Sequence, residues 1–300
     1  MRKIGLVLLI LLLPAFTLLA ADDILKQADD LFDAEKYIEG FELMEKALPS
    51  AGTNQEKAEI YWRMSKFQLN ITDDEEDAGT DKDALLEMFT QGMDYATMAT
   101  ELYPSADSYY WRSSNTGRWG ETKGILDSLF KAGPMKEDLL KVIEYDKMYA
   151  DAWYVFSRLY LKLPGWPISF GNAPFAVSFA RRAIDTYAEE DLKISYYKSL
   201  AETLWKRNWN EKTRAKEIKN RNSKFKNAKN EHDRQAQFEA SLGVDSSPVY
   251  TSRKLGDMTD REEAGIITDW LLVEFAKISD PSKGDNNNIQ EVKDMVAEWK

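Results

Sequence analysis

The sequence has no cysteine and a single histidine, and both shortages restrict the chemistry open to the chain. Without cysteine it cannot form disulfides, thiolate metal sites or the lipid-linked N-terminus of a lipoprotein. With His232 as the sole imidazole, histidine-based triads have no supporting sequence context. The signatures of serine hydrolases, phosphate-binding loops, dinucleotide folds and zinc proteases do not occur either. We therefore expect a non-enzymatic protein with no catalytic residue, no cofactor and no metal site.

The acidic side chains do not change this expectation. There are 51 of them, for a formal net charge of −11, and so many candidates make the spacing of any carboxylate pair uninformative. The run Asp73–Asp77 resembles the start of a calcium loop, but Ala78 stands where the turn needs glycine and Ala84 where a bidentate glutamate is needed. We expect a solvated loop over residues 72–80. An acidic chain also repels nucleic acid, which we exclude as a partner.

The N-terminus has the layout of a secretory signal peptide. Arg2 and Lys3 precede the apolar run Ile4–Leu13, and the small residues Ala20 and Ala21 come before the first acids. This pattern predicts a cleavable signal over residues 1–21 and a periplasmic or otherwise exported protein. A retained N-terminal membrane anchor is the alternative, because the uncharged stretch up to Ala21 is long enough to span a bilayer.

Helical hairpins are predicted along most of the remaining chain. Trp153, Phe156 and Tyr160 follow helical spacing, a Pro- and Gly-containing interruption comes next, and a stripe of small residues runs from Ala176 to Ala183. Large residues on one helix that face small residues on its partner are typical of tetratricopeptide repeats. A Tyr-Trp-Arg-x-Ser word that begins at Tyr61 recurs at Tyr110, 49 residues later.

These patterns predict an all-α solenoid of tetratricopeptide type, a right-handed superhelix of helical hairpins with C-terminal capping helices. The array covers residues 22–241, a linker covers 242–258, and the capping helices cover 259–300, beginning with a capping box at Thr259 and Glu262. Within the array, Ala132-Gly133-Pro134 predicts a helix break.

A basic strip, Lys206–Arg234, reverses the sign of the chain with 11 basic and 4 acidic side chains. Charge runs of this kind are usually solvated helix faces, which is one interpretation. The other is a docking strip for an acidic partner.

Two narrower resemblances rest on short words: Ala58-x-x-Tyr-Trp-Arg, a helix ending in Leu-Tyr-Pro104, Tyr-Tyr-Trp-Arg-Ser113, and Leu-Pro-Gly-Trp-Pro167. Their order resembles the TatT family, the periplasmic tetratricopeptide components associated with TRAP-type transporters. It is similar also to the family of regulators of microtubule dynamics, over residues 58–184. Known TatT proteins are typically lipoproteins, and the lack of cysteine departs from that.

The TatT resemblance implies a binding or scaffold protein that works with a solute-binding protein to handle a hydrophobic ligand. The alternative is a structural adaptor that grips a protein through the concave groove or the basic strip, and a homo-oligomer is compatible with both. In tetratricopeptide arrays the first helix of each hairpin lines the groove, although aromatic residues at helical spacing are more often core. The resemblance and the repeat positions together give these candidate groove residues: Trp62, Lys66, Trp111, Asn115, Arg118, Tyr154, Arg158, Trp166, Phe170 and Trp205.

Overall fold

The computed structural model describes residues 13–189 and 191–299, with side chains from Asp23 onward. Within these ranges the chain is helical with no β-strand, which confirms the predicted all-α class. It divides into two compact units, of which unit 1 ends at Lys123 and unit 2 begins at Gly124. This boundary lies inside the predicted repeat array of residues 22–241.

The predicted signal peptide falls partly on residues 1–12, which lie outside the described residues. Its remaining residues belong to the first helix, which begins at Leu13. None of the helices in the described part of the chain combines the length and the apolar character needed to cross a membrane. Cleavage of the signal stays a prediction.

Unit 1 consists of helical hairpins in chain order. Its helices are α1 (Leu13–Asp33), α2 (Tyr37–Ala47), α3 (Asn54–Asp77), α4 (Lys82–Leu102) and α5 (Ala106–Lys123). α1 packs on α2 and α3 packs on α4, while α3 also contacts both α1 and α5. Each hairpin therefore stacks on the next through its first helix, which is the arrangement of an α-solenoid.

The core of unit 1 is built from small residues on one helix that admit large residues from another. Ala28 and Met44 are fully buried against Phe67 of α3. Gly92 of α4 lies so close to α5 that a Cβ atom there would sit 2.1 Å from Asn115 Oδ1. The small-residue positions thus set how closely the helices approach.

The predicted loop over residues 72–80 is wrong for most of its length, because α3 continues to Asp77. Two contacts hold this acidic turn in the helix: Thr72 donates to Gln68 O at 2.6 Å, and Arg118 of α5 bonds Asp73. The helix ends where Gly79 adopts a φ of 87°, the left-handed conformation that commonly stops helices.

Unit 2 contains nine α-helices within its described residues. They are α6 (Leu129–Tyr145), α7 (Ala150–Lys162), α8 (Ala173–Thr186), α9 (Ile194–Arg207), α10 (Glu211–Asn227), α11 (Glu231–Gln235), α12 (Glu239–Leu242), α13 (Asp260–Phe275) and α14 (Lys283–Glu298). α7 packs on α8 and α8 on α9, and α13 and α14 both cover α9. The predicted capping helices therefore lie against α9, the first helix of the last predicted hairpin.

The break predicted at residues 132–134 does not occur, because α6 runs through Pro134. Pro134 is the sixth residue of α6, so its missing N–H removes one backbone bond close to the helix start and the helix continues. The break falls earlier, in the segment between Lys123 and Leu129.

The C-terminal part of unit 2 is closely packed. Thr259 Oγ1 accepts from Glu262 N at 3.0 Å while Glu262 Oε2 accepts from Thr259 N at 2.7 Å, which confirms the predicted capping box. In the segment named a linker from the sequence, Leu255 and Met258 are fully buried and Tyr250 nearly so. This segment contributes to the core as it connects α12 to α13.

Candidate functional site

In unit 1, three predicted groove residues lie together on α3 and α5. The Lys66 ammonium lies 3.4 Å from the Phe32 ring centroid and 5.9 Å from that of Trp111. Burial lowers the pKa of Lys66. Trp62 is buried and donates from its indole to Glu59 at 2.9 Å, whereas Trp111 is half-buried. The aromatic side chains of this face thus pack against other residues of unit 1.

Asn115 joins three helices from a fully buried position. Its amide donates to Ser65 Oγ at 3.0 Å, and Ser65 in turn donates to the carbonyl of Gly92 at 2.7 Å. A side chain that makes these contacts inside the helix stack serves its packing.

Arg118 is bound to three carboxylates of its own unit. Its guanidinium donates to Asp73 at 2.8 Å, to Glu121 at 3.0 Å and to Glu76. Burial raises the pKa of Asp73 to about 6, and the nearby Arg118 acts against that rise. A ligand carboxylate at this place would have to displace acids that already occupy the guanidinium.

In unit 2, the equivalent face of α7 and α9 is likewise internally paired. Tyr154 stacks on Tyr196 with ring centroids 5.3 Å apart, and Arg158 bonds Glu202. Burial acts to raise the pKa of Glu202, but the neighbouring Arg158 and Lys162 bring it below its usual range.

The remaining predicted groove residues have three different environments. Trp205 stacks on Trp299 of the C-terminal segment, with centroids 4.2 Å apart. Trp166 is 89% exposed. Phe170 is half-buried and lies edge-on to Tyr160 at 5.3 Å. Trp166 is therefore the predicted groove residue most open to solvent.

The single histidine lies in an aromatic environment in unit 2. His232 Nε2 is 3.0 Å from the Tyr160 hydroxyl and Nδ1 is 3.1 Å from Asp233 Oδ1. Phe156 and Phe179 flank the imidazole. Burial lowers the pKa of His232, which favours a neutral ring that donates to Asp233 and accepts from Tyr160.

A cavity of about 520 Å³ opens beside His232. Its wall combines Leu140 and Ile143 with Lys136 and acidic residues. Within the described ranges no group of three or more histidine and carboxylate side chains is arranged to hold a metal ion.

The basic strip contains buried arginines and exposed lysines, two groups that the sequence did not distinguish. Arg207, Arg214 and Arg221 are spaced by seven residues and are each less than 9% exposed. Arg207 forms two bonds of 2.7 Å with Asp260, and Arg221 donates to Gln237 at 2.7 Å. The interpretation of the whole strip as a solvated face is therefore wrong for these arginines.

A buried ionic cluster results when these arginines meet acids from later in the chain. Glu239 and Glu263 are fully buried, and Arg181 of α8 donates to both, at 3.2 and 2.8 Å. Burial would raise the pKa of Glu239, but the surrounding arginines hold it well below its usual range. We use "ionic cluster" for the set Arg181, Arg207, Arg214, Arg221, Glu239, Asp260 and Glu263.

Four of the five lysines of α10 lie on the opposite side of the helix from its two arginines. Successive residues are about 100° apart around a helix, so Arg214 and Arg221 share one side. The same geometry groups four exposed lysines on the other side, which we call the lysine face: Lys212, Lys216, Lys219 and Lys226. Among the described residues, none of the four forms an ion pair.

A second cavity of unit 2, of about 310 Å³, was also missed by sequence reasoning. Four aromatic rings contribute to its wall, from Tyr187, Tyr196, Tyr197 and Trp270. We call it the aromatic pocket, and its charged lining residues are Glu189, Asp191, Lys193 and Glu274. These residues come from α8, α9, α13 and the α8–α9 connection, so no local pattern in the sequence joins them.

Comparison with known proteins gives one family match. Residues 24–163 match the family model described as regulator of microtubule dynamics protein 1-3, which covers just under half of the chain. No curated protein matches the chain. The fold and this match define an all-α protein of stacked helical hairpins, similar over its first half to that family. The ionic cluster, the lysine face and the aromatic pocket all lie beyond the matched stretch.

Proposed function

We propose that the chain is a non-enzymatic adaptor that binds an acidic protein surface through the lysine face. The observation that carries this proposal is a helix side with four exposed lysines that have no ion-pair partner among the described residues, on a protein whose formal net charge is −11. Charges of one sign on a single surface attract and orient a complementary partner. The match to the regulator-of-microtubule-dynamics family model supports a helical binding protein and leaves the partner open.

The ionic cluster supports this assignment because it fixes which side of α10 faces solvent. Arg214 is fully buried and donates to Met258 O at 2.9 Å, so the helix cannot rotate without breaking this bond. The lysine face is thereby held outward.

The groove residues give less support for a hydrophobic-ligand carrier. A carrier needs an enclosed apolar cavity, whereas the two cavities described in unit 2 have charged residues in their walls. Arg118 and Arg158 already bind acids of the chain. The TatT-like role with a solute-binding protein therefore stays a prediction from resemblance, and export to the periplasm stays a prediction from the N-terminal sequence pattern.

The test compares two variants with the same change in net charge. One replaces Lys212, Lys216, Lys219 and Lys226 by serine. The control replaces four exposed lysines elsewhere by serine: Lys26, Lys46, Lys277 and Lys293. Binding of a polyglutamate peptide to the full chain is measured by fluorescence anisotropy over a salt titration.

The lysine-face variant should bind about tenfold more weakly at low salt and show a smaller salt dependence, because surface charge attraction is screened by ions. The control variant should bind close to the unmodified chain. Equal losses in both variants would mean that only net charge matters and would reject the proposed face. Equally tight binding of single-stranded DNA by the unmodified chain would contradict a preference for acidic protein.

A further inference from the structure

We propose that the aromatic pocket is a binding site for an alkylammonium cation, a site independent of the lysine face. Tyr197 lies against Trp270 with centroids 4.8 Å apart, and Tyr187 meets Tyr196 edge-on at 5.4 Å. Several aromatic rings around one small cavity are the arrangement that proteins use for quaternary ammonium groups. The cavity volume, about 310 Å³, lies at the lower end of ligand pockets, which range from about 300 to 1,000 Å³.

The charges around the pocket favour the same class of ligand. Among the described residues, three carboxylates line it against one lysine. The Tyr187 hydroxyl lies 2.9 Å from Glu189 and 3.0 Å from Asp191, so the two carboxylates share its single proton and both lie at the pocket wall. Burial and these two acceptors raise the pKa of Tyr187, so the phenol stays a neutral donor. A cation entering the pocket would thus meet aromatic rings and negative charge together.

A cation of the chain itself already lies at one ring. The Lys193 ammonium is 5.7 Å from the Tyr187 centroid, within the reach of about 6 Å for a cation–π contact. Lys193 is exposed and has no ion-pair partner among the described residues. We therefore assign it as an internal competitor that an incoming cation displaces.

The pocket fits an organic cation better than a metal ion. Its carboxylates share the wall with four aromatic rings and two aliphatic side chains, Ile184 and Leu192. Hard metal ions require several converging oxygen ligands, and among the described residues no group of three or more histidine and carboxylate side chains is arranged to hold one. An alkylated ammonium group instead presents methyl or methylene surface that the rings and aliphatic residues can cover.

The experiment titrates choline into the full chain by isothermal calorimetry. The matched control ligand is the neutral carbon isostere of choline, in which a quaternary carbon replaces the nitrogen. Choline should bind saturably and at least about tenfold more tightly than the isostere, as expected where cation–π and charge attraction carry the affinity. Equal binding of the two ligands would show an unspecific apolar pocket and would overturn the proposal.

Three variants test whether choline binds in the aromatic pocket. Lys193→Gln should bind choline several-fold more tightly, because it removes the competitor. Glu274→Gln should weaken choline binding and leave the isostere unaffected. Trp270→Leu should abolish choline binding, with thermal melting recorded because Trp270 also packs on the core of unit 2. Absence of saturable choline binding by both the unmodified chain and Lys193→Gln would also reject the site.

Two further measurements are needed. One distinguishes a protein side chain from a free small molecule as the source of the ammonium group, and the other shows that the aromatic pocket and the lysine face act independently. A capped lysine amide, compared with its trimethylated form, tests whether the pocket takes a protein side chain or prefers a free small cation such as choline. The four-fold lysine-face variant should bind choline as the unmodified chain does. Failure of the adaptor proposal therefore leaves this measurement intact, and the converse also holds.

Discussion

Units 1 and 2 contain the same contact between a first helix and its hairpin partner. In unit 1, Ser65 donates to the carbonyl of Gly92 at 2.7 Å, and in unit 2 Ser157 donates to that of Ala176 at 2.9 Å. All four residues are on helices, and both serines are fully buried. The repeat thus preserves a polar contact inside an otherwise apolar interface.

The two units differ in the residue that the following first helix adds. Unit 1 adds Asn115 and unit 2 adds Ser199, whose hydroxyl is 3.4 Å from Ser157 Oγ. The larger amide leaves no room for a Cβ atom at Gly92, whereas Ala176, at the corresponding place in unit 2, carries one. The identity of a small residue on one helix is therefore set by its neighbour on another.

The units also differ in how they handle charge. The Arg118 ion pairs of unit 1 are partly exposed to solvent. Unit 2 encloses an ionic cluster whose members are all less than 10% exposed. Water screens the first arrangement and not the second, so removal of one partner should have very different consequences in the two units.

The largest effect is expected at the ionic cluster. Glu263→Gln removes the negative charge that Arg181 and Arg214 share, and breaking a buried pair typically costs about 3–5 kcal/mol of unfolding free energy. Urea unfolding measures the change. The control Glu42→Gln breaks an exposed pair with Lys46 and should leave the stability nearly unaltered. A small loss for Glu263→Gln would show that water reaches the cluster.

An intermediate effect is expected at Gly92, which lacks the Cβ atom that Ala176 carries at the corresponding place in unit 2. Gly92→Ala forces a methyl group against Asn115 and should cost about 1–3 kcal/mol, as overpacking does. The double variant Gly92→Ala with Asn115→Ser reproduces the arrangement of unit 2 and should recover most of this loss.

Gly133→Ala in α6 is the matched control for the single and double variants at Gly92, because a Cβ atom at Gly133 meets nothing within 4 Å. It should stabilise the chain by about 0.4–1 kcal/mol through the reduced freedom of the unfolded state. If the double variant is no more stable than Gly92→Ala alone, the contact with Asn115 is not the cause of the strain.

The smallest effect is expected at His232 and depends on pH. Because burial lowers the pKa of His232, the unfolded chain takes up this proton at a higher pH than the folded chain does. The resulting stability is present above the unfolded pKa of about 6.5 and is lost as pH falls through and below it. His232→Gln should therefore show a flatter decline in urea-unfolding free energy from about pH 8 to about pH 5.

The imidazole signal of the only histidine gives an independent check by NMR. It should titrate below the value of an unperturbed histidine. A normal titration midpoint, with parallel stability curves for the two proteins, would contradict the buried neutral ring.

The helical class was predictable because hairpin periodicity is local in the sequence. The length of α3 was not, since its acidic last turn is held by Arg118 from another helix. The capping box at Thr259 was predictable for the opposite reason, because its partner is three residues away.

The candidate site shows the same limit. The seven-residue spacing of Arg207, Arg214 and Arg221 was visible, and it could have indicated one side of α10 for Arg214 and Arg221, with Arg207 at the end of α9. Their burial could not be inferred, because Asp260 and Glu239 come from distant segments. Groove residues transferred from the repeat pattern included Asn115, whose fully buried side chain bonds within the helix stack.

The ionic cluster also has a consequence for the order in which the chain can fold. Ser65 and Gly92 are 27 residues apart, so their contact can form while the chain is still being synthesised. Arg181 and Glu263 are 82 residues apart, and until Glu263 emerges the guanidinium lacks a final partner. Contacts of long sequence separation slow folding, because the loop must close before they contribute. Unit 2 should therefore complete its core only after α13 leaves the ribosome, whereas unit 1 assembles hairpin by hairpin.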